Sequence, residues 1–407
     1  MQNQAETEFL DELLLTPGPV PLPPKVQAAL SRQVVNHRSD SFRRLLASVS
    51  GRLAPLFERS GDSATLPVGG DEEENRNGVT LLFPGSGTGA LESAIVNLFS
   101  PGERLAVVVA GEFGQRWADI AASFGLEVGR YEVPWGEAFV EGELAVWLDK
   151  TGPWDGLAVT HNETSTGVLQ DVSAAGRVAR ARGLRLLVDA VSSLGGAPLA
   201  ARSAGVTVAV SASQKCLMTP PGLAVVWLAP DAEPLLEAAR LPRAYWDYRA
   251  AMRAALRGET PYTPAVNLIY GLDAALQLIE AEGLTEVWQR HRRLAAAWRE
   301  RLTELGFRLL SEQATASPTV TAAYPPPGVD AEELRRHLAA RYHVTVAAGQ
   351  GRLKGEIVRI AHMGSASDQD LERGMAAITA ALGDLRHVPS TRSALQRPSA
   401  VPEEGGN

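Results

Sequence analysis

Short apolar runs recur along the first part of the chain: VTLLF (79–83), RLAVVVA (104–110), GLAVTH (156–161), LRLLVDAV (184–191), VTVAVSAS (206–213) and GLAVVWLA (222–229). Runs of this length, bounded by glycine or other small residues, predict strands buried on both faces, and the stretches between them carry helical spacing. The alternation predicts an α/β fold: a mainly parallel sheet sandwiched by helices, which binds ligands beyond the C-terminal ends of its strands. From about Ala265 the pattern changes. The segment from Asn267 to Phe307 places apolar residues at helical spacing and breaks near Gly283, which predicts two long helices. A smaller α+β unit follows, with LRRHLAARYHV as helix, IVRIAH as strand and DQDLERGMAAITAAL as the closing helix.

The pattern divides the chain into an N-terminal segment 1–26, a large α/β domain 27–265, connecting helices 266–306 and a small α+β domain 307–387. Residues 60–78 (SGDSATLPVGGDEEENRNG), acidic and glycine-rich, read as a flexible insertion, and 388–407 as a disordered tail.

The 407 residues carry a formal charge of -8 with no block of Lys and Arg, which argues against nucleic acid as a partner. No apolar run approaches the roughly 18 residues of a membrane span, and the acidic N-terminus is unlike a secretion signal. The cytoplasm is therefore the expected location. One cysteine, Cys216, rules out an intramolecular disulfide and a cysteine-rich metal site; the seven scattered histidines include no HExxH, so no metal is expected. Of 39 basic residues only Lys25, Lys150, Lys215 and Lys354 are lysine. A lysine kept in so arginine-rich a chain points to chemistry that a guanidinium cannot perform, such as imine formation.

Lys215 is the lysine that fits, because it follows a buried strand in SASQKCLMTPPG, where partial desolvation lowers an amine's pKa and frees it as a nucleophile. A lysine snorkelling from a loop would look the same in isolation. Asp189 ends the strand LRLLVDAV, where a carboxylate after apolar residues needs a cationic partner, unless it serves as a turn residue. PGSGTGALESAIVNLF (84–99) runs from a strand through glycines into a helix, a shape that lets backbone N–H groups reach a phosphate, or one that simply turns the chain. Gly85, Gly87 and Gly89 give close approach, while Ser86 and Thr88 add hydroxyls. The spacing is neither GxGxxG nor GxxxxGK[ST]. HNETSTG (161–167) offers Asn162, Thr164, Ser165 and Thr166 after another strand, whether as ligands or as a hydrophilic turn. Arg359, among apolar residues in IVRIAHMG, wants a carboxylate from a substrate or from a structural ion pair.

Taken together and in order, these segments resemble the class V aminotransferases around alanine-glyoxylate, serine-glyoxylate and serine-pyruvate aminotransferase. LLLTPGPVPLPPKV (13–26) is similar to the family's N-terminal segment, SGTGALE to its phosphate turn, HNETSTGVLQD to its cofactor loop, LLVDAVSSLGG to its aspartate strand and SASQKCLMTPPG to its lysine segment. The 26-residue step from Asp189 to Lys215 agrees with the family's spacing. The resemblance implies the pyridoxal-phosphate (PLP) transferase fold type I, with a mainly parallel seven-stranded sheet and a smaller C-terminal α+β domain. It implies Lys215 as the Schiff-base lysine and Asp189 as partner of the pyridinium nitrogen. Ser86, Gly87, Thr88 and Gln214 would hold the phosphate, Thr164 would bond near the ring's 3'-oxygen, and Val191 and Phe113 would cover the two ring faces. Arg359 would grip the substrate's α-carboxylate. Thr263 is similar to the residue that reaches the phosphate of a neighbouring subunit, which implies a homodimer with shared sites. Some relatives place tryptophan where Phe113 stands, and relatives carry tyrosine where Thr260 stands here.

The activity so implied is transamination between a small amino acid, alanine or serine, and glyoxylate or pyruvate. Aspartate, aminoethylphosphonate and ureidoglycine are alternative donors on similar frameworks. Cysteine desulfuration shares the fold but needs a mobile cysteine, whereas Cys216 is tethered beside Lys215. A nicotinamide-dependent oxidoreductase and a non-catalytic protein of the same fold are the readings from other classes.

Overall fold

The structure is a computed structural model that describes residues 12–60 and 78–387. The expected insertion 60–78, apart from its two end residues, and the expected tail 388–407 lie outside the described residues.

Strand β1 (Leu13–Leu15) comes first, followed after two helices by β2 (Val79–Gly85), β3 (Arg104–Val109), β4 (Glu127–Glu132) and β5 (Gly156–Thr160). A short hairpin, β6 (Asn162–Glu163) and β7 (Val168–Leu169), precedes β8 (Arg185–Asp189), β9 (Val208–Ala212) and β10 (Gly222–Leu228). The last strands are β11 (Arg308–Leu309), β12 (Val320–Tyr324), β13 (Val344–Ala348) and β14 (Val358–Ala361). A seven-stranded sheet has the order β2-β10-β9-β8-β5-β3-β4, and β10 alone runs antiparallel to its neighbours. The α/β sandwich read from the sequence is thus present. Each of the six apolar runs forms one of its strands.

Side chains alternate between the two faces along these buried strands. Leu187, Val208 and Val210 pack with the helices Gly87–Leu98 and Glu112–Ser123, including Trp117, on one face. Leu186, Val188 and Ala209 pack on the other with the helices Asp40–Glu58, Val172–Arg180 and Val266–Glu282. The sheet therefore has a core on each side, and only apolar runs satisfy both.

The seventh strand, β4, escaped the sequence pattern because its residues EVGRYE are half-buried or exposed at the sheet edge. A polar edge strand carries no apolar run. The two long helices are Val266–Glu282 and Leu284–Glu304, separated by Gly283 at φ +93°, a left-handed conformation that glycine adopts without strain.

A second sheet, β1-β13-β14-β12-β11, lies with the helices Ala331–Tyr342 and Asp368–His387. Strand β1 joins it in parallel to β13, so the N-terminal segment pairs with residues more than three hundred positions away. Strand β12 (VTAAY), too short and alanine-rich to stand out as an apolar run, also went unread.

Candidate active site

The C-terminal ends of the parallel strands converge on a cavity of about 480 Å³. Strand β2 ends in Gly85, and Ser86 then caps the helix Gly87–Leu98 by accepting from the Gly89 N–H at 3.4 Å. The N–H groups of Gly87 and Thr88 lie in the first turn and have no acceptor within the helix, so they are free to meet an anion there. A Cβ at Gly87 would come 2.9 Å from Val191 Cγ2, so a side chain would close the approach between this turn and the residue after β8.

Asp189 closes β8, between Thr160 of β5 and Val210 of β9. It is buried, and its Oδ1 accepts from the Val191 N–H at 2.8 Å. The turn role foreseen as an alternative is therefore real, but it uses one oxygen. Burial pushes the carboxyl up to about 7, opposed by the Val191 N–H; the Glu163 charge raises it further, while Arg116 and Lys215 pull it down. Lys215 follows β9 by three residues, and its Nζ donates to the carbonyl of Pro17. Gly18 makes room for that side chain, since a Cβ there would sit 2.5 Å from Lys215 Nζ. Burial lowers the amine to about 8, helped by the Arg359 charge and resisted by Asp189. Near neutral pH a usable fraction of this amine is unprotonated.

Ser86, Gly87, Thr88, Phe113, Thr164, Asp189, Val191, Gln214, Lys215 and Arg359, all singled out from the sequence, line this one cavity. Thr164 Oγ1 donates to Ser192 Oγ at 2.7 Å, and Gln214 Oε1 is buried without a hydrogen-bond partner among the described residues. Arg359 donates from Nε to the Ala348 carbonyl at 2.8 Å and from Nη1 to the Thr164 carbonyl at 3.1 Å. It pairs with no carboxylate among the described residues, so the structural ion pair foreseen as an alternative is not formed. Burial lowers the guanidinium to about 10 against the charges of Glu163 and Glu112. Thr263 is different. It is exposed and does not line the cavity of its own chain.

Three residues of the site escaped the sequence reading. Arg116 lines the cavity, donates to Thr88 Oγ1 at 3.2 Å and stacks 4.7 Å over the Phe113 ring. Its i, i+3 spacing from Phe113 in GEFGQRW was the available signal. Gln350 lines the wall beside Arg359 with its Oε1 buried and unpartnered among the described residues, and a lone glutamine in a loop gives no warning. Glu163 lies inside the quoted HNETSTG motif, an acid among hydroxyls, and is fully buried behind the cavity wall.

A phosphorylated pyridine aldehyde suits this lining. Anion donors sit at one end, an under-bonded carboxyl and an amine of lowered pKa face the space between, and an unpaired arginine stands at the substrate side. The glycine cradle at residue 87 is the observation that tests the fit, and it favours it.

Residues 74–362 match the family model described as aminotransferase class-V. Over 385 residues the chain is 36% identical to a protein of Synechococcus named soluble hydrogenase, small subunit, covering 94% of this chain and 96% of that one. It is 35% identical over 368 residues to the serine–glyoxylate aminotransferase of Methylorubrum extorquens, covering 88% of each. The crystal structure of an alanine–glyoxylate aminotransferase from Nostoc superposes with a TM-score of 0.83 at 32% identity, over 91% of this chain and 95% of that one. The fold, the converging strand ends and these matches together place the chain in the class V aminotransferase family, whose members are PLP-dependent enzymes of fold type I.

Proposed function

We propose that the protein transfers an amino group from alanine or serine to glyoxylate or pyruvate, with Lys215 as the lysine that binds the cofactor covalently. The observation that carries this reading is the meeting of a half-buried Lys215 with the buried Asp189 and Arg359 in one cavity, none of the three in a salt bridge among the described residues. The names of the relatives in Methylorubrum and Nostoc support the choice of donors and acceptor.

PLP bound here supplies a reactive aldehyde carbon and a ring that accepts electrons from the substrate's α-carbon. The chain's own residues do the rest. The N–H groups of Gly87 and Thr88, the hydroxyls of Ser86 and Thr88 and the Gln214 amide hold the phosphate at the helix N-terminus. Asp189 would stand beside the ring nitrogen and, as a carboxylate, favour its protonated form. Thr164 would bond near the 3'-oxygen, and Val191 and Phe113, which line the same cavity, would cover the two ring faces. Arg359 takes the α-carboxylate through the donors its two backbone bonds leave free. Lys215 Nζ, at about 8, removes the α-proton as a base and returns it as an acid.

The same reading makes the protein a homodimer with shared sites, in which Thr263 serves the cavity of the partner. Support comes from the exposed Thr263 and from its neighbour Tyr262, 45% exposed and stacked 5.3 Å from the equally exposed Tyr245. Small amino and oxo acids are the proposed substrates, and the cytoplasm is the proposed location. No helix among the described residues is long and apolar enough to cross a membrane.

The test is a donor and acceptor panel on the PLP-loaded protein, following the absorbance change of the bound cofactor as the amino group arrives. Alanine or serine should convert it fastest, and glyoxylate or pyruvate should restore it. Aspartate, aminoethylphosphonate or ureidoglycine winning the panel overturns the donor assignment. Lys215→Ala run alongside should lose turnover by at least about ten-thousand-fold together with covalent attachment; normal turnover by that variant overturns the mechanism.

A further inference from the structure

Glu163 forms none of the cavity surface, yet it is fully buried directly behind it. Its Oε2 accepts from the N–H groups of Phe113 and Gly114, both at 3.1 Å, and its Oε1 accepts from the Ser165 N–H at 3.2 Å and from Ser165 Oγ. Ser165 Oγ in turn accepts from the Glu112 N–H at 3.0 Å. Glu112, Phe113 and Gly114 are the first three residues of the helix Glu112–Ser123, whose own cap position is Gly111 and has no side chain.

The orphan N–H groups of this helix are thus satisfied by a carboxylate and a hydroxyl some fifty residues further along the chain. Gly111 is required by that arrangement, because a Cβ there would lie 2.3 Å from Ser165 Oγ and 2.5 Å from Glu163 Cδ. A proton on Oε2 would confront two backbone donors, and the positive end of the helix dipole also favours the ionised form. The loop that carries Glu163 is tied to the opposite wall as well: Arg359 donates to the carbonyl of the next residue, Thr164.

We infer that Glu163 is a positioning residue, a carboxylate clamp that sets the Phe113 ring over the cofactor and, through the Thr164 carbonyl, orients the arginine that grips the substrate. Three links carry it: the clamp on the Phe113 and Gly114 N–H groups, the i, i+3 pair of Phe113 and Arg116 lining the cavity, and the Thr164–Arg359 bond. The inference rests on the roles proposed above for Phe113 and Arg359. It assigns Glu163 no contact with substrate or cofactor, so the groups that move the proton stay in place when it is changed.

Glu163→Gln keeps the size of the side chain but turns one acceptor into an N–H donor facing N–H donors. The PLP-loaded variant should lose cofactor about tenfold faster than the wild type, read as decay of visible circular dichroism, and its KM for the amino donor should rise about tenfold. Its kcat at saturating cofactor and donor should stay within about threefold. Glu163→Asp, which keeps the charge, should recover part of both effects, something a loss of folding stability alone would not produce. Wild-type cofactor retention together with wild-type KM in Glu163→Gln overturns the inference, whatever its melting temperature. If that variant does not fold, Ser165→Ala, which removes the hydroxyl link to Glu112, must shift both quantities in the same direction by a smaller factor, and no shift overturns the inference equally. A wild-type chain that takes up no PLP would instead strike the reading of the cavity itself.

Discussion

Strands β8 and β5 are neighbours in the large sheet, and the end of β8 and the hairpin that follows β5 each bury a carboxyl that burial pushes upwards. At the hairpin, Glu163 is met by three backbone N–H groups and a serine hydroxyl. At the strand end, Asp189 is met by one backbone N–H and opens onto a cavity. Equal burial therefore conceals opposite situations: one acid is fully partnered and organises the protein around it, the other is held short of a partner and awaits a cation. Burial does not distinguish a working acid from a positioning one. The unmet hydrogen-bonding capacity does.

The hardest test of that contrast is Asp189→Asn. Without a carboxylate beside the ring nitrogen, kcat should fall by roughly a thousandfold, a size in line with the loss of a preorganised electrostatic group, whereas Glu163→Gln keeps kcat. Stopped-flow half-reactions with the favoured donor measure it, and an Asp189→Asn variant retaining a tenth of wild-type kcat would erase the distinction. Next in size, Arg359→Ala should raise the donor KM about a hundredfold, the scale of a lost bond to a charged group, while PLP stays bound. Lost cofactor with unchanged KM would show that Arg359 acts on the fold and not on the substrate.

The smallest effect concerns stability of the cofactor-free protein. Asp189 has a folded value of about 7 against about 3.9 unfolded, so between those values the native state holds a proton that the unfolded chain has released. Stability contributed by this group therefore falls as pH rises from about 4 to about 7. Asp189→Asn should remove that slope and melt about 2–3 °C above the wild type at pH 8, with the gap closing near pH 4. Glu163→Gln should melt below the wild type at both pH values, since its donors lose an acceptor. Melting curves at the two pH values check this, and a stabilised Glu163→Gln or an unchanged slope in Asp189→Asn would contradict the comparison.

Lys215 and Asp189 were legible in the chain because each is a charged residue stranded at the end of an apolar run, a local anomaly visible without neighbours. The glycine turn at Gly85–Gly89 and the polar cluster after β5 were legible for a similar reason, as breaks in a repeating pattern. Arg116 and Gln350 were not, since their importance depends on what faces them: Thr88 and the Phe113 ring for one, the wall of Arg359 for the other. Glu163 was quoted within a motif and passed over, because its partners lie in the helix that starts at Glu112. Strand β4 was missed at an exposed edge, where no face has to be apolar.

By itself the sequence determined the double-sided sheet, through six runs that only burial on both faces accommodates, and the break between the two long helices, through Gly283. It also placed an amine and an acid at strand ends. Tertiary structure decided what those groups meet: β1 beside β13, Pro17 and Gly18 against Lys215, the Thr164 carbonyl on Arg359, and Glu163 on a helix whose own cap is a bare glycine. Period and composition act over a few residues, whereas these contacts join segments tens to hundreds of residues apart, and nothing in a local pattern encodes which distant group will complete a hydrogen bond.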